Sequence, residues 1–305
     1  MDQIQKTLLE QVAGIHEVPQ GAYSLRINGN LYGKNDSEHI SIVKKEDQPG
    51  IDIFVKPGTK NESLHIPVIL SQSGLKELVY NDFHIGEDCD VTIVAGCGIH
   101  NGGSEASEHS GIHSFFVGKG AKVKYIEKHY GEGDGNGKNL MNPTSVVVME
   151  ENSYMEMETA QIKGVDSTIR KTEAKLAAGA TLIVREKIMT HGDQFAKTDF
   201  TVDLDGEGCG AHVVSRSVAK DNSRQTFLSH VRGNNRCSGH TECDAIIMDD
   251  AQVTALPQIE ANHVDAALIH EAAIGKIAGE QLIKLMTLGL TEREAEEQII
   301  NGFLK

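Results

Sequence analysis

Along most of the chain, apolar and polar residues alternate in short runs. In "KVKYIEKHY", Val123, Tyr125 and Glu127 fall on one face and Lys122, Lys124 and Ile126 on the other, the two-residue period of a strand. "VTIVAG", "TSVVVME", "YMEMETAQI", "TLIVREKIM", "AHVVSRSVA" and "ECDAIIM" are equally short and rich in strand-forming residues. Small-residue turns recur between such runs: "EDCDV" from Glu87, "KGAKV" from Lys119, "ENSYM" from Glu151, "AGATL" from Ala178, "EGCGA" from Glu207 and "DDAQV" from Asp249. Their starts lie 32, 32, 27, 29 and 42 residues apart. A period near thirty describes repeated units, each too small to bury its own apolar face, which must therefore stack. No helical stretch separates these strands, so an alternating α/β fold is excluded. A sandwich remains open, but the narrow recurring corners favour a parallel β-helix.

Helical periodicity is confined to the ends. "MDQIQKTLLEQVAG" is amphipathic, and "HEAAIGKIAGEQLIKLMTLGL" and "TEREAEEQIINGFLK" read as two helices. Gly289 suits a C-cap for the first of these. Thr291 and Glu294 form a capping box opening the second, whose Ala295, Ile299 and Phe303 share a face. The expected organisation is an N-terminal helical or irregular segment over residues 1–30, an all-β core over 31–269 and a helical segment over 270–305.

Composition narrows the function. The 305 residues suffice for a substantial core, and a net charge of −15 argues against nucleic acid, whose phosphates reward basic patches. No apolar run approaches the ~18 residues of a membrane span. With Asp2 and Glu10 at the start, the N-terminus reads as a helix rather than a secretion signal. Five scattered cysteines, an odd number, fit reduced thiols and a cytoplasmic location. A secreted, polysaccharide-cleaving β-helix would grip sugar with aromatics, whereas this chain has no Trp and only 5% aromatic residues.

The densest candidate chemistry is "RCSGHTECDAIIM", Arg236 to Met248. If extended, it holds Cys237 and Cys243 roughly 20 Å apart at about 3.3 Å per residue, so a joint zinc site with His240 would need a tight turn at Gly239. Cys243 then reads as a buried apolar residue beside Ala245 and Ile247. Cys97, His100, His109 and His113 form a second group. His109 and His113 would share a helix face, but Gly111 and the surrounding strands make loop histidines the plainer reading. "GEGDGNGK" from Gly131 lacks phosphate-loop spacing and suits an exposed hairpin tip. His270 beside Glu271 sits at a β-to-helix junction, where a carboxylate favours the helix dipole.

The last seventy residues resemble the SufB/SufD family, scaffold subunits of the SUF iron–sulfur assembly machinery. The likeness rests on Cys243–Asp244, "PQIEA", the "HEA…KI…EQL" run and "GLTEREAEEQIINGF". "AGCGIHNGG" and "GIHSFFVGKGAKVKYIEKHYGEG" extend it toward the short, single-scaffold prokaryotic branch. The resemblance implies a right-handed parallel β-helix with terminal helices, in which the C-terminal helices bind an ABC-type ATPase (a SufC-type subunit). It implies a second scaffold copy or a paralogue joined through the β-helices, and a cysteine desulfurase or other sulfur donor. Cys243 and His270 would be metal ligands of a transiently bound iron–sulfur cluster at that interface, with Glu271 an accessory donor. The protein itself would not be an enzyme. Two positions depart from the SufB pattern: Ile269 stands where a Glu precedes the histidine, and Val202 where a sulfur-receiving cysteine is expected. A SufD-like partner of the ATPase that carries no cluster is the alternative.

Overall fold

The computed structural model describes residues 1–304. It is 58% strand and about 11% helix, and its body is a parallel β-solenoid of about eight turns. Two ten-stranded sheets face each other, and the chain passes from one to the other in every coil. In the first sheet, Glu127, Thr159, Glu186, Ser215 and Cys243 stand side by side on successive strands. They are 32, 27, 29 and 28 residues apart, which is the repeat legible in the sequence.

Alternation fixes which side chains enter the core. Strand Thr181–Thr190 buries every second residue, as do Ser167–Leu176 and Phe195–Leu204. Most of the inward apolar residues form one hydrophobic cluster along the solenoid, with Phe83 and Phe115 stacked at 4.6 Å between ring centres. The corners explain the small residues. Cys89, Ala121, Ser153, Ala180 and Cys209 each follow a turn and are at most 1% exposed, because a coil this narrow leaves no volume there. "DDAQV" belongs to a different corner, the one leading into strand Gln252–Ala261 of the second sheet, hence its irregular spacing of 42. The member that follows Cys209 is Cys237, whose surrounding "NNRCS" hides the pattern.

The two ends differ. At the N-terminal end, the antiparallel pairs Ala22–Ile27 with Asn30–Asn35 and Ile40–Lys44 with Gly50–Val55 close the core, burying Ala22, Ile40, Ile42 and Ile53. The first pair turns on Asn28 and Gly29, both at positive φ, as a two-residue hairpin requires. Helix α1 (Gln3–Ala13), capped by Asp2 and Gln5, packs Leu8, Leu9 and Val12 against Leu25, Ile27 and Ile69. It can lie close to the sheet because Gly96 and Gly98 are glycines; a Cβ at either would meet Val12 or Leu8 at 3.0 Å. At the C-terminal end, Gln252–Ala261 and Ala266–Gly275 are the edge strands of the two sheets and are largely exposed. Ile259 and Ile274, on the inward register, remain 43% and 39% exposed.

Three expectations need correction. The stretch expected to be helical from His270 continues as strand to Gly275, and helix α2 spans Gly279–Thr287. Pairing to the previous coil outweighs helix propensity there. "GEGDGNGK" is no hairpin tip, since it carries the chain from Lys122–Glu132 in the first sheet to Asn139–Met141 in the second. His109 and His113 lie on strand Ser107–Val117 rather than on a helix or loop, and both point inward. The capping box opening α3 (Glu292–Phe303) forms as expected, and the helix buries Ala295 and Ile300.

Candidate functional site

The open end gathers two of the three residues singled out from the sequence. Cys243, on strand Cys237–Ile247, is inward and 2% exposed. His270 lies on the adjacent strand, opposite Thr241, also on the inward register. The two are diagonal neighbours, about 8 Å apart at Cα for one strand spacing and two residues of rise. Glu271, one residue on, projects from the outer face, where its carboxylate lies 3.5 Å from His240 Nε2. Strand alternation therefore separates it from the other two.

His270 is oriented. Its Nδ1 is 2.7 Å from Thr241 Oγ1, while its Nε2 is buried with no hydrogen-bond partner. When Nδ1 donates to the threonine hydroxyl, Nε2 carries the free lone pair, the arrangement by which proteins prepare an imidazole as a ligand. Burial, with His240 nearby, lowers its pKa and keeps the ring neutral. Cys243 is held as a thiol: burial, then the charges of Glu186 and Asp244, push it up to about 12. A soft metal ion would have to displace that proton, as thiolate ligation requires. The outer face carries a different group. His212 and His240 stack at 4.9 Å, and the Glu242 carboxyl is raised by its hydrogen bond to Asp244.

Alternation alone does not announce the interior polar file that leads to Cys243. Glu127 and Glu186, 3% and 4% exposed, flank the Arg170 guanidinium, which bonds to Glu127 and lies 3.6 Å from Glu186. Glu186 accepts hydrogen bonds from Thr198 and Ser215, each at 2.8 Å, and Ser215 is the rung beside Cys243. Tyr125 donates to Glu127, so His113 Nδ1–H must donate to Tyr125, leaving Nε2 to accept from Asn81. Opposite charge and hydrogen bonds hold Glu127 well below the usual carboxylate range despite its burial. Its place on the Val123–Tyr125 face was visible in the sequence; its partner Arg170, 43 residues on, was not. His129 Nε2 is 3.6 Å from Glu127 and Cys97 is fully enclosed, whereas His100 is half-buried against Glu132.

Among the described residues, the one grouping with three donors close enough for a single ion is Asp52, Asp82 and His84, at the other end of the molecule. Lys45 already sits between the two carboxylates, its ammonium 2.7 Å from Asp82 and also bonded to Asp52, which accounts for the cluster as an ion pair. Cys237, His240 and Cys243 do not converge: Cys237 and Cys243 point inward while His240 lies on the outer face.

The fold is a parallel β-solenoid that places a thiol and an oriented imidazole at its uncapped end. The SufBD core domain model, described as SUF system FeS cluster assembly, matches residues 77–303. The chain belongs to the SufBD family of iron–sulfur cluster assembly proteins. It is 29% identical over 273 residues to a SufBD family protein of Methanocaldococcus jannaschii, covering 88% of this chain and 85% of that one. A SufBD family protein of Methanothermobacter thermautotrophicus is 27% identical over 260 residues, covering 84% and 62%. The iron–sulfur cluster assembly protein SufB of Bacillus subtilis is 28% identical over 266 residues, covering 84% and 55%. The chain thus spans about three fifths of the length of two of these relatives. No helix among the described residues is long and apolar enough to cross a membrane.

Proposed function

We propose that this protein is a cytoplasmic scaffold on which an iron–sulfur cluster is assembled and from which it is released, and that it is not itself an enzyme. The observation that carries the reading is the pairing of Cys243 with the unpartnered His270 Nε2 on adjacent strands at the open end. Thiolate is the standard ligand of iron–sulfur clusters and imidazole an accepted replacement. Two ligands from one chain leave a cluster incomplete. A second copy, or a paralogous scaffold, stacked on the exposed edges would supply the remainder. Those edges expose Leu256, Ile259, Ile269 and Ile274, and Ala266–Gly275 carries a single charged residue, Glu271.

An ABC-type ATPase is the expected second partner. Helix α2 buries none of its residues and shows Ile283 and Met286 to solvent, followed by Leu288. α3, by contrast, is anchored through Ile300 beside Val218. Nucleotide-driven closure of a bound ATPase pair would then move α2 against a fixed body. Sulfur would come from a donor such as a cysteine desulfurase. Val202 is fully buried in an apolar file beside Ala174 and Val231, which favours the alternative of a SufD-like partner without its own sulfur acceptor.

Anaerobic reconstitution with ferrous iron and sulfide, beside Cys243→Ser and His270→Ala, tests the scaffold reading. Visible absorption and bound iron in the wild type, lost in Cys243→Ser and weakened in His270→Ala, are expected. Equal iron in all three, or none in any, overturns it and leaves the structural partner.

A further inference from the structure

We propose that Cys209 and Cys237 are a redox-active pair that forms a reversible disulfide between two consecutive coils at the open end of the solenoid. The inference stands independently of the cluster site. The corner file described above holds Cys89, Ala121, Ser153, Ala180, Cys209 and then Cys237, so only at its last step do two thiols meet. Gly210 pairs with Ser238, and the Ser238 amide donates to the Cys209 carbonyl at 3.1 Å, which sets Cys209 beside Cys237 in register. Parallel neighbours lie about 4.8 Å apart, inside the 4.4–6.8 Å of Cα separation, roughly, that a disulfide spans. Both side chains enter the same hydrophobic cluster, from the same side of their coils.

The other cysteines have no such neighbour. Cys97 is flanked by Val68 and His129, and Cys243 by Ser215 and Ala272. Cys243 is six residues from Cys237 along one strand, about 20 Å away.

The surroundings suit exchange chemistry. Cys237 is the least enclosed of the five cysteines, at 6% exposure. Its sulfur rests over Gly233, where a Cβ would come within 3.1 Å, so the missing side chain leaves the sulfur room to turn. Burial raises both thiols, Cys209 to about 11, so exchange proceeds through the small fraction of thiolate and is slow, with Cys237 the more accessible of the two.

The oxidant is a small-molecule disulfide. The Cys237 thiolate attacks one of its sulfurs, forming a mixed disulfide and expelling one small thiolate. The Cys209 thiolate then attacks the Cys237 sulfur, expels the second, and closes the protein disulfide. The protein loses two electrons and two protons, and the reagent is reduced to two thiols. The bond joins the coil that carries Cys243 to the coil before it and closes a loop of 28 residues.

Full-length protein incubated with oxidised glutathione, then alkylated and digested with trypsin, tests the pair. The expected product links the peptide containing Cys209 to the one beginning at Cys237. Free thiols fall from five to three, and the melting temperature rises in a way dithiothreitol reverses. Cys209→Ser should stop at glutathione on Cys237, and Cys243→Ser should form the crosslink unchanged. Persistence of five free thiols in folded protein, glutathione on Cys237 of the wild type without a crosslink, or a Cys237–Cys243 bond would each refute it.

Discussion

At the scale of single residues, the interior is decided by hydrogen-bond direction. His113 is trapped as the neutral Nδ1–H tautomer, since Tyr125 spends its own proton on Glu127 and Asn81 donates into Nε2. Its pKa falls to about 4, mainly through burial. The unfolded chain takes up a proton near pH 6.5 that the native ring refuses, so stability is full above that pH and is lost as pH falls from 6.5 to 4. The loss is about 3 kcal/mol. Urea unfolding at pH 7.5 and pH 5 should show this slope, and His113→Gln should flatten it; an unchanged slope would remove the assignment. Glu127 acts in the same direction at lower pH, because its depressed carboxyl contributes stability above the ordinary glutamate range and loses it under acid. Arg170→Met should leave Glu127 and Glu186 buried with less compensation and cost about 3–5 kcal/mol in the same unfolding assay. A loss below about 1 kcal/mol would mean that water reaches the pair.

At the scale of elements, the terminal helices divide one task between them. α3 is held by its capping box and by Ile300 and Leu304 packed near Val218, whereas α2 rests against α3, with Leu282 and Leu285 partly covered and none of its residues fully buried. Replacing Ile283, which is 62% exposed, by Glu should leave folding stability within about 0.5 kcal/mol. It should also reduce co-purification with an ABC-type ATPase at least tenfold; retained binding would place the docking surface elsewhere. How far these elements were legible depended on the kind of signal. Period-two alternation and the small corner residues exposed the solenoid, since both follow from local sterics. The boundary at His270 misled, because "HEAAIG" carries helix formers whose backbone is claimed by pairing with Thr241 to Ile246, a contact the local sequence does not display. Cys243 and His270 stood out through the resemblance. Their shared face, and Glu271's exclusion from it, follow from strand parity once the strand is recognised. The Glu127–Arg170–Glu186 group was hidden, because its members are 43 and 16 residues apart and meet only when coils stack.

At the scale of the whole molecule, the solenoid has a finished end and an unfinished one. The hairpins bury Ile40 and Ile42 over the first coil, while Ile259 and Ile274 lie uncovered on the last. An inward-pointing lysine is a recurrent way of making a sheet edge reject a neighbour. Under the edge pairing proposed above, Ile259→Lys should therefore weaken self-association, raising the dissociation constant at least tenfold in analytical ultracentrifugation. A variant as dimeric as the wild type would show that contacts lie outside this edge.

The asymmetry of the ends also limits how large any edge-joined assembly can grow. In the language of polymer chemistry, a subunit with two reactive ends propagates into a filament, whereas one with a single reactive end has a functionality of one and terminates its neighbour on joining it. By covering the core of the first coil, the antiparallel hairpins would act as a chain stopper in such an assembly. Under the pairing proposed above, association through the open end would halt at two, with the hairpin ends outward.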